Sequence, residues 1–102
     1  MTANDVLSII NRQLEEASSG EKNLHGITPA DILSEPYEEA YLSFEGSQVF
    51  QYWTVLEEME DRSGYTIYFD PDQEKFGLGC RTKEGVVDVG THGTFLEALR
   101  GM

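Results

Sequence analysis

The sequence predicts a single α+β domain: an N-terminal amphipathic helix, a short second helix, a five-stranded antiparallel meander and a short C-terminal helix. Three observations lead there. Helical spacing of apolar residues is confined to the first third of the chain and its last few residues. From Glu39 onward the period falls to two. No βαβ alternation appears, so the sheet is expected to be antiparallel with helices mainly on one face. At 102 residues the chain has room for one core.

Over residues 3–17, Ala3, Val6, Leu7, Ile10, Leu14 and Ala17 make one apolar stripe, and Arg12, Glu15 and Glu16 fall off it. Ser18-Ser19-Gly20 supplies the stop. The second helix is signalled by Ile27 to Leu33. Thr28 is its N-cap, Pro29 its first helical residue and Asp31 the partner in a capping box, with Ile27 and Ile32 spaced as a hydrophobic staple. Pro36 ends the segment.

Ala40, Leu42 and Phe44 then alternate with Tyr41 and Ser43, a first strand broken by Gly46-Ser47. Residues 48–56 are β-branched and aromatic on both faces, which suits a central strand. A polar loop, Glu57 to Gly64, precedes the strand Tyr65 to Phe69. Asp70-Pro71-Asp72-Gln73 has turn chemistry, Phe76 to Arg81 returns, and Thr82 to Gly85 turns into Val86 to Val89. Gly90 and Gly93 break the last strand, and Thr94 with Glu97 forms a capping box for a helix through Arg100. Matching faces across the Asp70–Lys75 turn sets Phe69 opposite Phe76, Ile67 opposite Leu78 and Tyr65 opposite Cys80. The other face then carries Thr66 and Tyr68 against Gly79 and Gly77, either with Tyr68 lying over Gly77 or as a shallow aromatic groove for a partner.

Charge is the strongest compositional signal. Seven Lys and Arg against nineteen Asp and Glu give a net charge of −12. Such a field disfavours nucleic acid and anionic membranes and favours a basic protein partner. Residues 31–62 hold nine acids and only one base, Arg62. No run approaches the roughly 18 apolar residues of a membrane span, and the N-terminus lacks the basic and apolar regions of a secretion signal. The one cysteine, Cys80, rules out an internal disulfide and a multi-cysteine zinc site, which favours a cytoplasmic location.

No cofactor or catalytic motif is complete. Asp70, Asp72 and Glu74 alternate as in a calcium loop, but Lys75 and Arg81 stand where glycine and a bidentate glutamate are needed, so this segment reads as a solvated turn. Gly90 to Thr94 precedes a helix, where amides can hold an anion, yet it matches neither phosphate-binding fingerprint. His92 lacks a nucleophile nearby, and His25 has no metal-ligand spacing to it. Cys80 falls on an apolar face opposite Arg81, as an inert thiol would. Trp53 is assigned to the core. The candidate partner-binding residues are the acids Glu57, Glu58, Glu60 and Asp61 with the aromatics Tyr52 and Tyr68.

The runs Tyr52 to Val55, Gly64 to Asp70, Phe76 to Gly79 and Gly93 to Leu99 look like a pattern in small uncharacterised bacterial proteins. In style the chain is similar to immunity proteins of bacterial toxin systems. The likeness covers residues 50–99, about half the chain, and implies toxin neutralisation without carrying over any functional residue. The leading expectation is therefore a non-enzymatic acidic binding protein. The alternatives are a small enzyme or ligand-binding domain with a pocket between helices and sheet, around Tyr52, Tyr68 and His92, and a homodimer formed through a sheet edge or aromatic face.

Overall fold

The computed structural model describes residues 1–16, 32, 35–58 and 64–101. Helix α1 runs Ala3–Glu16 and is capped reciprocally: the Thr2 amide donates to Asp5 Oδ2 at 2.8 Å, and the Asp5 amide to Thr2 Oγ1 at 3.3 Å. The strands are β1 Tyr37–Leu42, β2 Val49–Glu57, β3 Tyr65–Asp70, β4 Lys75–Thr82 and β5 Gly85–Gly93. Helix α2, Phe95–Gly101, closes the order. It begins with the expected box, the Thr94 amide donating to Glu97 Oε1 and the Glu97 amide to Thr94 Oγ1, both at 3.2 Å. The second helix and the Gly20 stop lie outside the described residues, apart from Ile32, whose half-buried side chain packs against the core.

Consecutive strands pair antiparallel, as a meander requires, and the register across the β3–β4 turn is the expected one, Tyr65 with Cys80 through Phe69 with Phe76. The sheet is nevertheless closed. β1 pairs parallel with β5 at Tyr41–Val86 and Leu42–Val87, which joins the two edges into a five-stranded barrel. That corrects the expectation of a purely antiparallel sheet, and it takes the paired stretch of edge away from a strand-to-strand dimer. Curvature comes from bulges in β2 between Thr54 and Leu56 and in β5 opposite Phe76–Gly77 and Leu78–Gly79. The last strand is therefore bent at Gly90, with φ +148°, and continues to Gly93 where a break was expected.

The two faces of the barrel wall differ in chemistry. Outside, Trp53, Val55, Leu56, Ile67, Phe69, Phe76 and Leu78 pack under α1 and α2, meeting Val6, Ile10, Phe95, Leu96, Ala98 and Leu99. This is the hydrophobic core. Inside, side chains from strands that are not neighbours touch across the lumen: Tyr41 on β1 reaches Thr66 on β3, and Arg81 on β4 reaches Glu39 on β1. So narrow a lumen needs glycine on its wall. A Cβ at Gly77 would collide with the Tyr68 ring, and one at Gly79 would lie 2.5 Å from Tyr41 Cε2. Tyr68 does lie over Gly77, the simpler of the two readings of that face.

β1 presents the opposite face from the one its apolar alternation suggests. Tyr37, Glu39 and Tyr41 turn inward, Ala40 is exposed, and Phe44 has left the strand into the following turn with 80 % of its surface open. Burying Tyr41 removes more surface from water than burying Ala40 would, and its hydroxyl finds two partners inside. A one-residue shift would reverse every contact, so this choice fixes the strand's register.

Candidate functional site

The barrel has two ends. Loops 43–48 and 71–74 lie at one; the start of β1, the end of β2 and the turn 83–84 lie at the other.

At the second end Arg81 organises the interior. Its Nε donates to Glu57 Oε1 at 2.6 Å, its Nη2 to Glu39 Oε1 at 2.7 Å and to the Tyr37 hydroxyl at 2.9 Å. Thr54 donates its proton to Glu39 Oε1 at 2.6 Å. Its oxygen must then accept from Tyr41 at 2.7 Å, and Tyr41 in turn accepts from Thr66 at 2.8 Å. Burial opposes the Arg81 charge, and the bonds to Glu39 and Glu57 outweigh it, so the guanidinium holds its proton more firmly than in water. Burial pushes the Tyr41 phenol far above its usual range.

The middle of the lumen is aromatic. Tyr41 meets Tyr68 edge-on at 5.0 Å, and Tyr52 stacks on Tyr68 at 4.3 Å with the rings 12° apart. The Tyr68 hydroxyl donates to Asp88 Oδ1 at 2.8 Å and contacts Thr91 Oγ1 at 3.1 Å. Burial first, and then Asp88, raises the Tyr68 phenol well beyond the ordinary value.

The stack continues toward the first end, Phe50 lying parallel to Tyr52 at 5.5 Å. There a cleft of about 320 Å³ opens, lined by Val49, Phe50, Gln51, Tyr52, Asp70, Asp72 and Gln73. Asp70 is 6 % exposed. Its Oδ1 accepts the amides of Asp72 at 2.9 Å and Gln73 at 3.4 Å, so the side chain builds the turn that brings Asp72 to the rim. The Tyr52 phenol is pushed up to about 12, by burial first and then by the charges of Asp70, Asp88 and Asp72. The cleft is thus aromatic on one wall and negative on the other. Val49, on its lining, is 61 % exposed, and Phe44, in the 43–48 loop at the same end of the barrel, is 80 % exposed.

The expected site residues are dispersed. Glu57 is the last residue of β2, not part of a loop, and its carboxylate is taken by Arg81 inside the barrel. Glu58 is half-buried and its Oε1 accepts the Tyr65 amide at 3.2 Å. Glu60 and Asp61 lie outside the described residues. Tyr68 is fully buried, whereas Tyr52 lines the cleft. The expected pocket between helices and sheet is filled by the apolar core. Tyr52 and Tyr68 belong to the opposite face of the wall, and exposed His92 sits against Gly101 of α2, so the three do not converge. Residues 90–93 form strand, not an anion-binding loop, with Thr91 engaged by Tyr68. Cys80 is half-buried on the face opposite Arg81.

Sequence reading missed the cleft because Asp70 and Asp72 look like a solvated turn. The signal was present in the alternation of Phe50 and Tyr52, which puts two rings on the same wall as Tyr68 and the strand glycines. Among the described residues no group of three His, Cys, Asp or Glu could hold a metal ion, and no helix is long and apolar enough to cross a membrane. No protein-family model, curated protein or solved structure matches the chain.

Proposed function

We propose that the chain is a non-enzymatic, cytoplasmic binding domain that takes up a basic protein at the cleft end of its barrel, as an immunity-type protein neutralising a basic toxin would. The observation that carries this reading is the cleft itself, an aromatic and carboxylate-lined recess that includes the exposed Val49, with exposed Phe44 in a loop at the same end of the barrel. Exposed apolar side chains near a negative field combine an anchor with steering of a cationic partner. The overall charge of −12 favours the same class of partner. The acids that sequence alone singled out supply part of the field only. Of the nine in residues 31–62, Glu39 and Glu57 face inward onto one arginine.

The test is the affinity for a fluorescent arginine-rich peptide containing one aromatic residue. Raising salt from about 0.01 to about 1 M shortens the screening length from roughly 30 to 3 Å and is expected to weaken binding strongly. Phe44→Ser with Val49→Ser changes no charge and is expected to weaken binding about tenfold, in line with loss of an interface anchor. Binding by that double variant equal to the parent's would show that net charge alone holds the peptide, and the reading would fail.

A further inference from the structure

We infer that the cleft is a seat for a single arginine side chain, presented by the basic partner. This rests on the reading above and names the group that the site recognises.

Two buried polar groups in the cleft lack partners. The Tyr52 hydroxyl, on a residue 8 % exposed, has no hydrogen-bond partner among the described residues. Asp70 is more deeply buried still, and while its Oδ1 holds the turn, its Oδ2 has no partner among the described residues. Buried polar atoms are normally satisfied, and a carboxylate oxygen kept from bulk water is the costlier case. Both residues line the same cleft, with exposed Asp72 beside them.

The chemistry of the missing group follows from what surrounds it. Two carboxylates call for a cation and exclude a phosphate or carboxylate ligand. A cation rich in N–H supplies a donor to each carboxylate, and the phenol oxygen can accept one as well while keeping its own proton to donate. The stack Tyr68–Tyr52–Phe50 ends at a half-buried ring, which offers a flat platform for a planar cation. A guanidinium has both a planar face that packs on a ring and a fork of N–H donors that matches a carboxylate. An ammonium gives only a point charge. At about 320 Å³ the cleft is at the small end of ligand pockets, suited to one side chain.

The inference is tested by titrating the folded protein with N-acetyl-arginine amide, its neutral isostere N-acetyl-citrulline amide and N-acetyl-lysine amide, following backbone amide resonances. The arginine derivative is expected to shift Phe50, Tyr52, Asp72 and Gln73 first, and to bind at least about threefold more tightly than the lysine derivative. Citrulline is expected to shift none of them. Asp70→Asn keeps an oxygen to hold the turn and is expected to weaken arginine binding about tenfold, as loss of a charged hydrogen-bond partner does. Phe50→Leu keeps an apolar wall and is expected to weaken it less. Equal shifts from arginine and citrulline, equal affinity for lysine, or shifts confined to the Arg81 end would overturn the inference. A salt-sensitive arginine-rich peptide that still depends on Phe44 and Val49 would then leave the broader reading standing. Loss of both would remove both.

Discussion

Arg81 and Glu39 lie on strands that are not neighbours, yet Nη2 of the one and Oε1 of the other meet at 2.7 Å across the barrel. This contact, with the 2.6 Å bond from Arg81 to Glu57, ties β4 to β1 and β2 and accounts for why Glu39 faces inward. Side-chain exposure of Arg81 is 13 %, so the pair is well removed from water. Arg81→Leu takes the guanidinium away from both carboxylates and is expected to cost roughly 3–5 kcal/mol in denaturant unfolding, as breaking a largely buried ion pair does. Arg81→Lys retains charge without the fork and is expected to fall between. A leucine variant as stable as the parent would show that the staple contributes nothing.

Alkaline pH tests the tyrosine-filled lumen. Tyr41, Tyr52 and Tyr68 are all raised above the ordinary phenol value of 10.0, Tyr52 to about 12. A raised folded value means that the folded chain keeps a proton that the unfolded chain releases. Their contribution is complete below pH 10 and is lost as pH rises. Each is expected to lower stability progressively as pH rises above that point, until its folded value is passed. Tyrosinate absorbance from these three is therefore expected to appear together with unfolding. Smooth ionisation in a chain that stays folded would contradict a desolvated interior.

Two glycines set how narrow the lumen can be. At Gly79 an added Cβ meets the Tyr41 ring, Thr66 Oγ1 and Val86 Cγ2, which are side-chain atoms and not backbone. At Gly77 it meets the Tyr68 ring and, at 2.6 Å, the carbonyl oxygen of Gly90, which belongs to the backbone of the next strand. Gly79→Ala is expected to cost about 1–3 kcal/mol as overpacking does, and Gly77→Ala more. Thermal unfolding of the two variants gives the order directly, and the reverse order would place the tight contact elsewhere.

Much of this arrangement was legible in the sequence. The β3–β4 register follows residue by residue because a proline turn and a two-residue period specify it together. The capping box at Thr94 and the core position of Trp53 were equally local. Closure was not legible, because the β1–β5 contact is two residue pairs long and has no turn to announce it. The inward face of β1 was hidden for a related reason. The inward Glu39 is held by Arg81, which is 42 residues away in the chain. Asp70 shows the same limit, since a buried turn acid looks identical in sequence to a solvated one.

The location of the binding surface separates this account from one in which acidity alone attracts basic partners. Asp72 sits at the cleft, whereas Glu84 lies in the turn at the other end of the barrel, and both are exposed. Asp72→Lys and Glu84→Lys change net charge equally, so the most direct measurement is the affinity of each for the same arginine-rich peptide at low salt. The expected result is a loss of at least about tenfold for Asp72→Lys and about twofold or less for Glu84→Lys, the difference between a contact and a distant charge. Equal losses in the two variants would contradict the cleft as the site of binding.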